Sequence, residues 1–153
     1  MNTTTIRYQT KTAAEKNIFH HLVICSGSFV PPLKERVDIE AYSKKIAEKA
    51  ISFEAWNNNE LVGLIAAYFN DDIVKSCFIT NVSVTKEFTG KGIASILLNN
   101  CIEYCTGNKC FEIYLEVYWN NIPAINFYKK FNFIQSDKKG DNLILKLDIK
   151  NNR

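Results

Sequence analysis

The segment Thr89-Gly90-Lys91-Gly92-Ile93-Ala94 holds the residue types that point most directly to chemistry in this 153-residue chain. It follows an alternating β-rich run that ends at Val84 and opens a run with helical apolar spacing. Glycine lets a backbone approach an anion closely, and the first-turn N–H groups of a helix starting there lack intrahelical acceptors. Ser95 extends the same first turn, and Lys91 adds positive charge at the rim. The segment is neither G-x-x-x-x-G-K-[ST] nor the full G-x-G-x-x-G fingerprint, so alone it indicates an anion site without specifying the anion.

Other reactive side chains are more dispersed. Tyr128 lies on an amphipathic run, and Glu54 and Glu116 lie in β-rich runs. The five cysteines include Cys101 and Cys105, four apart in an expected helix, and Cys110 at the start of the next strand. No C-x-x-C pair occurs, and His20 and His21 stand outside zinc-finger spacing from the cysteines, which predicts reduced, buried thiols and no metal.

The elements that must position these groups follow from periodicity. Thr4 to Gln9 alternates around Ile6 and Tyr8 and predicts a first strand. Thr12, with Glu15 three residues on, predicts a capping box for a helix that turns Ile18, Leu22 and Cys25 inward and stops near Ser26-Gly27. Phe29-Val30-Pro31-Pro32-Leu33 must be a loop, and Asp38 should cap a helix from Ile39 to about Ala50. Ile51–Trp56 and Leu61–Phe69 should form a hairpin through Asn57–Glu60. A turn at Asn70-Asp71-Asp72 then leads to a strand over Ser76–Val84. After the glycine segment, Ala94, Leu97, Leu98, Cys101 and Cys105 form one helical stripe that ends at Thr106-Gly107-Asn108. Phe111–Val117 should be a strand, Ile122–Phe131 a helix, and Phe133 with Asn142–Ile149 one or two closing strands. The order predicts one α/β domain over 1–153, a mixed and mostly antiparallel sheet flanked by helices on both faces.

The order and spacing of several motifs resemble the GNAT superfamily of N-acetyltransferases, from about Phe53 to Phe133. They are Asn81-Val82-Ser83-Val84, the glycine segment, Leu115-Glu116-Val117, Asn121, Ala124-Ile125, and Tyr128-Lys129-Lys130-Phe131-Asn132-Phe133. The resemblance implies that CoA pyrophosphate sits on the N–H groups of Gly90, Lys91, Gly92, Ile93, Ala94 and Ser95. Pantetheine would pair along Val82, Ser83 and Val84, with an N–H near Val84 facing the acetyl oxygen. Asn121, Phe127, Tyr128 and Lys130 complete the implied cofactor contacts. Tyr128 is the implied general acid for the leaving thiolate, since a phenol stays protonated at neutral pH.

Two positions depart from the family pattern. Thr89 replaces the usual Gln or Arg, which removes a pyrophosphate contact but leaves the backbone cradle, and Asn132 replaces a Gly before the last Phe. Asn tolerates the left-handed conformation, so that turn can survive. Thr80 and Asn81 stand where many relatives carry a carboxylate, which leaves Glu54, Glu116 or water as the general base, with Glu54 favoured. The acceptor wall would come from Phe29, Pro31, Pro32, Leu33 and Tyr42, with Trp119 and Phe127.

The implied activity is acetyl-CoA-dependent N-acetyl transfer to a primary amine of a small molecule such as an amino sugar or amino acid. The alternatives are a protein N-terminal acetyltransferase and a non-catalytic acyl-CoA-binding module of the same fold. A net charge of +3 with dispersed lysines argues against nucleic acid. Met1–Thr5 has no signal-peptide pattern and no apolar run reaches the roughly eighteen residues of a membrane span, so a soluble cytoplasmic protein is expected. The resemblance also allows a homodimer.

Overall fold

The computed structural model describes residues 5–70 and 75–149. The element order is β1 (Arg7–Thr10), α1 (Glu15–Cys25), α2 (Ile39–Lys49), β2 (Ile51–Asn57), β3 (Glu60–Asn70), β4 (Ser76–Val84), α3 (Ile93–Gly107), β5 (Glu112–Tyr118), α4 (Ile122–Lys130), β6 (Ile134–Lys139) and β7 (Asn142–Asp148). Short 3-10 turns cover Ser26–Ser28, Leu33–Glu35 and Lys86–Phe88. The strands form a seven-stranded sheet in the order β1-β2-β3-β4-β5-β7-β6. This is the mixed, mostly antiparallel α/β arrangement that the sequence predicts. The predicted start of β1 at Thr4 and the turn residues Asp71 and Asp72 lie outside the described residues.

Contacts divide the chain into two compact units, Met1–Ala67 with Asn81–Cys101, and Tyr68–Thr80 with Ile102–Arg153. In the first unit β1 pairs antiparallel with β2 from Arg7↔Trp56 to Thr10↔Phe53. The β2–β3 hairpin runs from Ile51↔Ala67 to Asn57↔Glu60, with a register shift at Ala55/Trp56. Asn58 takes φ 56 at its tip, a conformation that Asn adopts more readily than most residues. Helices cover both faces of this hairpin. On one face, a Cβ at Gly63 would sit 2.9 Å from Ile93 Cγ2 and 3.1 Å from Leu97 Cδ1, so glycine lets α3 approach the sheet. On the other face, Glu54 reaches the backbone just before α1. Asp38 caps α2 as expected, its Oδ1 accepting from the Glu40 and Ala41 N–H groups.

The start of α1 corrects the sequence reading. Thr12 is not its cap; the helix begins at Glu15, and the Asn17 side-chain oxygen accepts from the Ala14 N–H at 3.0 Å. Thr12 instead gives its hydroxyl and its N–H to Glu54. A buried carboxylate outbids a local capping interaction because an ionised acceptor binds N–H and O–H donors more strongly.

In the second unit β4 runs parallel to β5 from Ser76↔Glu112 to Ile79↔Leu115. The antiparallel β5–β7 pairing runs from Glu112↔Asp148 to Tyr118↔Asn142, and β6 pairs with the far side of β7. Asn121 caps α4, its Oδ1 accepting from the Ala124 N–H at 3.3 Å. Pro123 stands in the first turn of α4, where a missing N–H carries little penalty. Asn132 takes φ 72 after α4, which is the left-handed turn expected from its side chain. Phe133, Ile113, Leu115 and Leu145 fill the core here, each 2% exposed or less.

Candidate functional site

The glycine segment lies where local physics requires it. β4 ends at Val84, the Thr85 N–H donates to Val62 O at 2.9 Å, and one 3-10 turn delivers the chain to Thr89. Gly90 and Gly92 have φ 77 and φ 80, the region that L side chains rarely adopt. A Cβ at either glycine would meet nothing within 4 Å, so conformation rather than space demands glycine. The helical ladder begins with the Ile96 N–H donating to Gly92 O, which leaves the N–H groups of Ile93, Ala94 and Ser95 outside it. Residues Thr89 to Gly92 are exposed, Ile93 is buried, and Ala94 and Ser95 are half-buried. Lys91 Nζ sits 5.5 Å from the centroid of the Phe88 ring. The Thr89 hydroxyl donates to Lys86 O at 2.7 Å, so its side chain braces the turn.

β4 supplies a second feature. Its register with β5 ends at Ile79, and the strand continues through Val84. Asn81, Ser83 and Thr85 are buried, alternating with half-buried Val82 and Val84. A cleft of about 170 Å³ is lined by Val82, Ser83 and Val84 with Cys25, Ser28 and Phe29. Of the proposed acceptor wall, Phe29 lines this cleft, whereas Leu33 is buried in the core at 2% exposure.

His21, which periodicity did not single out, sits beside that cleft. It is fully buried, with Nδ1 3.0 Å from Leu61 O and Nε2 2.8 Å from Ser83 Oγ. Ser83 Oγ lies 2.8 Å from the Asn81 side-chain amide. Burial lowers the His21 pKa to about 4, so the ring is neutral near pH 7. The clue in the sequence was a polar residue on an apolar stripe, since His21 falls between Ile18 and Cys25 at helical spacing. Burial pushes the Cys25 thiol up to about 11, so it stays protonated and is a poor nucleophile.

Glu54, the favoured general-base candidate, is buried and committed to partners within the fold. Its carboxylate accepts from the Thr12 hydroxyl and N–H, the Ala13 N–H, the Ser52 hydroxyl and the Trp56 indole N–H. Burial alone would raise its pKa, but these donors outweigh it and hold the carboxyl below its ordinary value. A carboxylate that holds five donors at 0% exposure clasps the segment before α1 to β2. Glu116 is different: it is half-buried, with Asn142 Nδ2 donating at 3.5 Å.

The second unit holds the remaining predicted residues. Tyr128 is buried at 8% exposure, its ring edge-on to Phe127 and Phe133 at centroid distances of 5.3 Å and 5.7 Å. Burial pushes its phenol well above the ordinary value. Phe127 is half-buried, Lys130 is exposed, and Trp119 is 52% exposed. No helix among the described residues is long and apolar enough to cross a membrane.

The chain is similar to known proteins over part or most of its length. A probable spermine N(1)-acetyltransferase of Bacillus subtilis subsp. natto is 31% identical over 74 residues, 48% of this chain and 49% of that protein. An N-alpha-acetyltransferase of Sulfolobus acidocaldarius is 37% identical over 62 residues, 40% of this chain and 37% of that protein. The chain thus spans about half or less of the length of these curated relatives. Among solved structures, Naa50 of Arabidopsis thaliana in complex with the bisubstrate analogue CoA-Ac-MVNAL superposes with a TM-score of 0.72 at 27% identity, covering 92% of this chain and 98% of that one. A model of the acetyltransferase (GNAT) family matches residues 16–133, and the chain belongs to that family.

Proposed function

We propose that the protein transfers an acetyl group from acetyl-CoA directly to a primary amine. The observation that carries this reading is the pair of left-handed glycines, which leaves the first-turn N–H groups of α3 outside the helical ladder for a pyrophosphate. Val82 to Val84, beyond the β5 register, would pair with pantetheine as an added strand. An N–H near Val84 would receive the charge developing on the acetyl oxygen.

In the reaction the neutral amine attacks the thioester carbonyl, the C–N bond forms, the C–S bond breaks, and the thiol leaves. The amine loses a proton and the sulfur gains one. Tyr128, held protonated by burial, would donate to the leaving sulfur. With Glu54 occupied, Glu116 is the other candidate for the amine proton, directly or through water.

The acceptor belongs to one of two classes. A small-molecule amine is the first reading. The α-amine of a protein N-terminus is the second, favoured by the Sulfolobus relative and by the peptide analogue held by Naa50. A cytoplasmic setting and a homodimer accord with the reading without being required by it.

Calorimetric titration with acetyl-CoA and with acetyl-pantetheine tests the carrying observation. The reading expects acetyl-CoA to bind and acetyl-pantetheine, which lacks the pyrophosphate, to bind far more weakly. Equal affinity for the two, or no binding of acetyl-CoA, would contradict it. Tyr128→Phe should lower kcat while leaving acetyl-CoA affinity within about twofold, and an unchanged kcat across pH would remove Tyr128 from the mechanism.

A further inference from the structure

β4 and β5 are parallel neighbours near the middle of the sheet, yet their two faces differ in burial. Cys77, Ile79, Ile113 and Leu115 point to one face and are each 4% exposed or less. Phe78, Tyr114 and Glu116 alternate with them, point to the other face and are only half-buried. The register sets Phe78 beside Tyr114, and the ring centroids lie 5.1 Å apart at an interplanar angle of 40°. A parallel pair is normally covered on both faces, so two large rings left half-open there form a platform that the fold itself does not finish.

Charge on this face is uneven. Tyr114 stands opposite Lys146 on β7, whose Nζ pairs with Glu112 at 3.3 Å. Glu116 follows Tyr114 by two residues on the same side of β5, and its Oε1 accepts from Asn142 Nδ2 at 3.5 Å. No Lys or Arg among the described residues pairs with it. A half-buried carboxylate with one long, neutral donor is poorly matched, and an ammonium beside it supplies the missing charge.

We infer that the Phe78–Tyr114 ring pair is the specificity surface for the acceptor, holding a large apolar group next to the amine while the ammonium meets Glu116. The inference rests on the acetyltransferase reading, in which Glu116 is a candidate for the amine proton, and it adds the nature of the amine's neighbour. Tyr114 and Glu116 are about 7 Å apart along the strand, close to the reach from an amine to the far end of a leucine- or phenylalanine-sized group. The preferred acceptor is therefore a primary amine with a large apolar group beside it, as in a peptide that begins with leucine. A glycine in that place leaves the rings uncovered. A polyamine fits less well, because its next ammonium would come to the Lys146 side of the rings, where Glu112 is already neutralised.

The test follows CoA thiol release at saturating acetyl-CoA with three probe amines: Leu-Ala amide, Gly-Ala amide and spermine. In wild type, kcat/KM for Leu-Ala amide should exceed that for Gly-Ala amide about tenfold, the effect of taking a leucine side chain partly out of water. It should also exceed that for spermine. Phe78→Ala should bring the ratio between the two peptides to within about threefold, and Phe78→Leu, which keeps an apolar surface, should retain most of it. If Phe78→Ala does not fold, Tyr114→Ala carries the same expectation. Glu116→Gln should slow both peptides alike and leave the ratio in place. Acetyl-CoA affinity should stay within about twofold in every variant by calorimetry. A purely structural role for the rings would lower both rates together without moving the ratio. A wild-type ratio near one, a ratio untouched by the ring variants, or spermine as the best probe overturns the inference. So does a wild type that binds acetyl-CoA and acetylates none of the three. Failure of the wild type to bind acetyl-CoA instead overturns the acetyltransferase reading on which the inference rests.

Discussion

At the scale of single residues, Gly90 and Gly92 and the carboxylate Glu54 behave in opposite ways. The glycines are exposed, touch nothing, and matter through φ alone. Alanine at either position would be held in the left-handed region, at a strain of about 1–2 kcal/mol. Gly90→Ala and Gly92→Ala should therefore weaken acetyl-CoA binding about tenfold by calorimetry while leaving the melting temperature within a few degrees. An unaltered affinity in both variants would show that the loop backbone is not the cradle. Glu54 is fully buried and holds five donors, so its substitution acts on folding. In Glu54→Gln the NH2 group would face N–H or O–H donors, and leaving them unmatched should destabilise the protein by about 3 kcal/mol in urea unfolding. The folded fraction should keep its kcat. Glu116→Gln should do the reverse, lowering kcat by roughly 10²-fold or more with little change in stability.

At the scale of elements, local signals were legible and long-range ones were not. Asp38 before α2, the Asn57–Glu60 hairpin, the left-handed Asn132 and the glycine turn into α3 all depend on neighbours within a few residues. Thr12 resembled a cap by the same local logic, yet its partner Glu54 lies 42 positions away and displaced that role. His21 meets Ser83 across 62 positions, and no periodicity records which strand residue a helix side chain will face. The sheet order was likewise only partly readable: placing β7 between β5 and β6 depends on pairing at a distance.

The His21 contact joins α1 to β4 and should give the protein a pH signature. Its folded pKa of about 4 lies below the ordinary value of 6.5, so the neutral form is the one the fold favours. The contribution is fully present above pH 6.5 and is lost as pH falls toward 4, because the unfolded chain takes up the proton first. Glu54 is also a depressed group, but its window lies below the ordinary carboxyl value of 4.5, so His21 dominates the upper part of the acid range. Urea unfolding at pH 7 and pH 5.5 should show a loss of about 1 kcal/mol in wild type that is absent from His21→Gln. Equal losses in both proteins would mean that the ring is not held neutral.

At the scale of the whole molecule, the GNAT family match covers residues 16–133, and it includes both the glycine segment and α4. The family fixes the cofactor end more firmly than the acceptor end, since the relatives' names span spermine and protein α-amines. On β4 this chain carries Thr80 and Asn81, with no carboxylate, at the positions where the family resemblance expects one. A non-catalytic acyl-CoA-binding module would share the fold and the glycine loop, so binding alone does not distinguish it from an enzyme. Product stoichiometry does. With acetyl-CoA and an amine panel that includes free peptide N-termini, mass spectrometry should find one N-acetylated amine for each CoA thiol released, at a rate that rises with amine concentration. Tight acetyl-CoA binding with thiol release no faster than in the absence of amine would contradict the account.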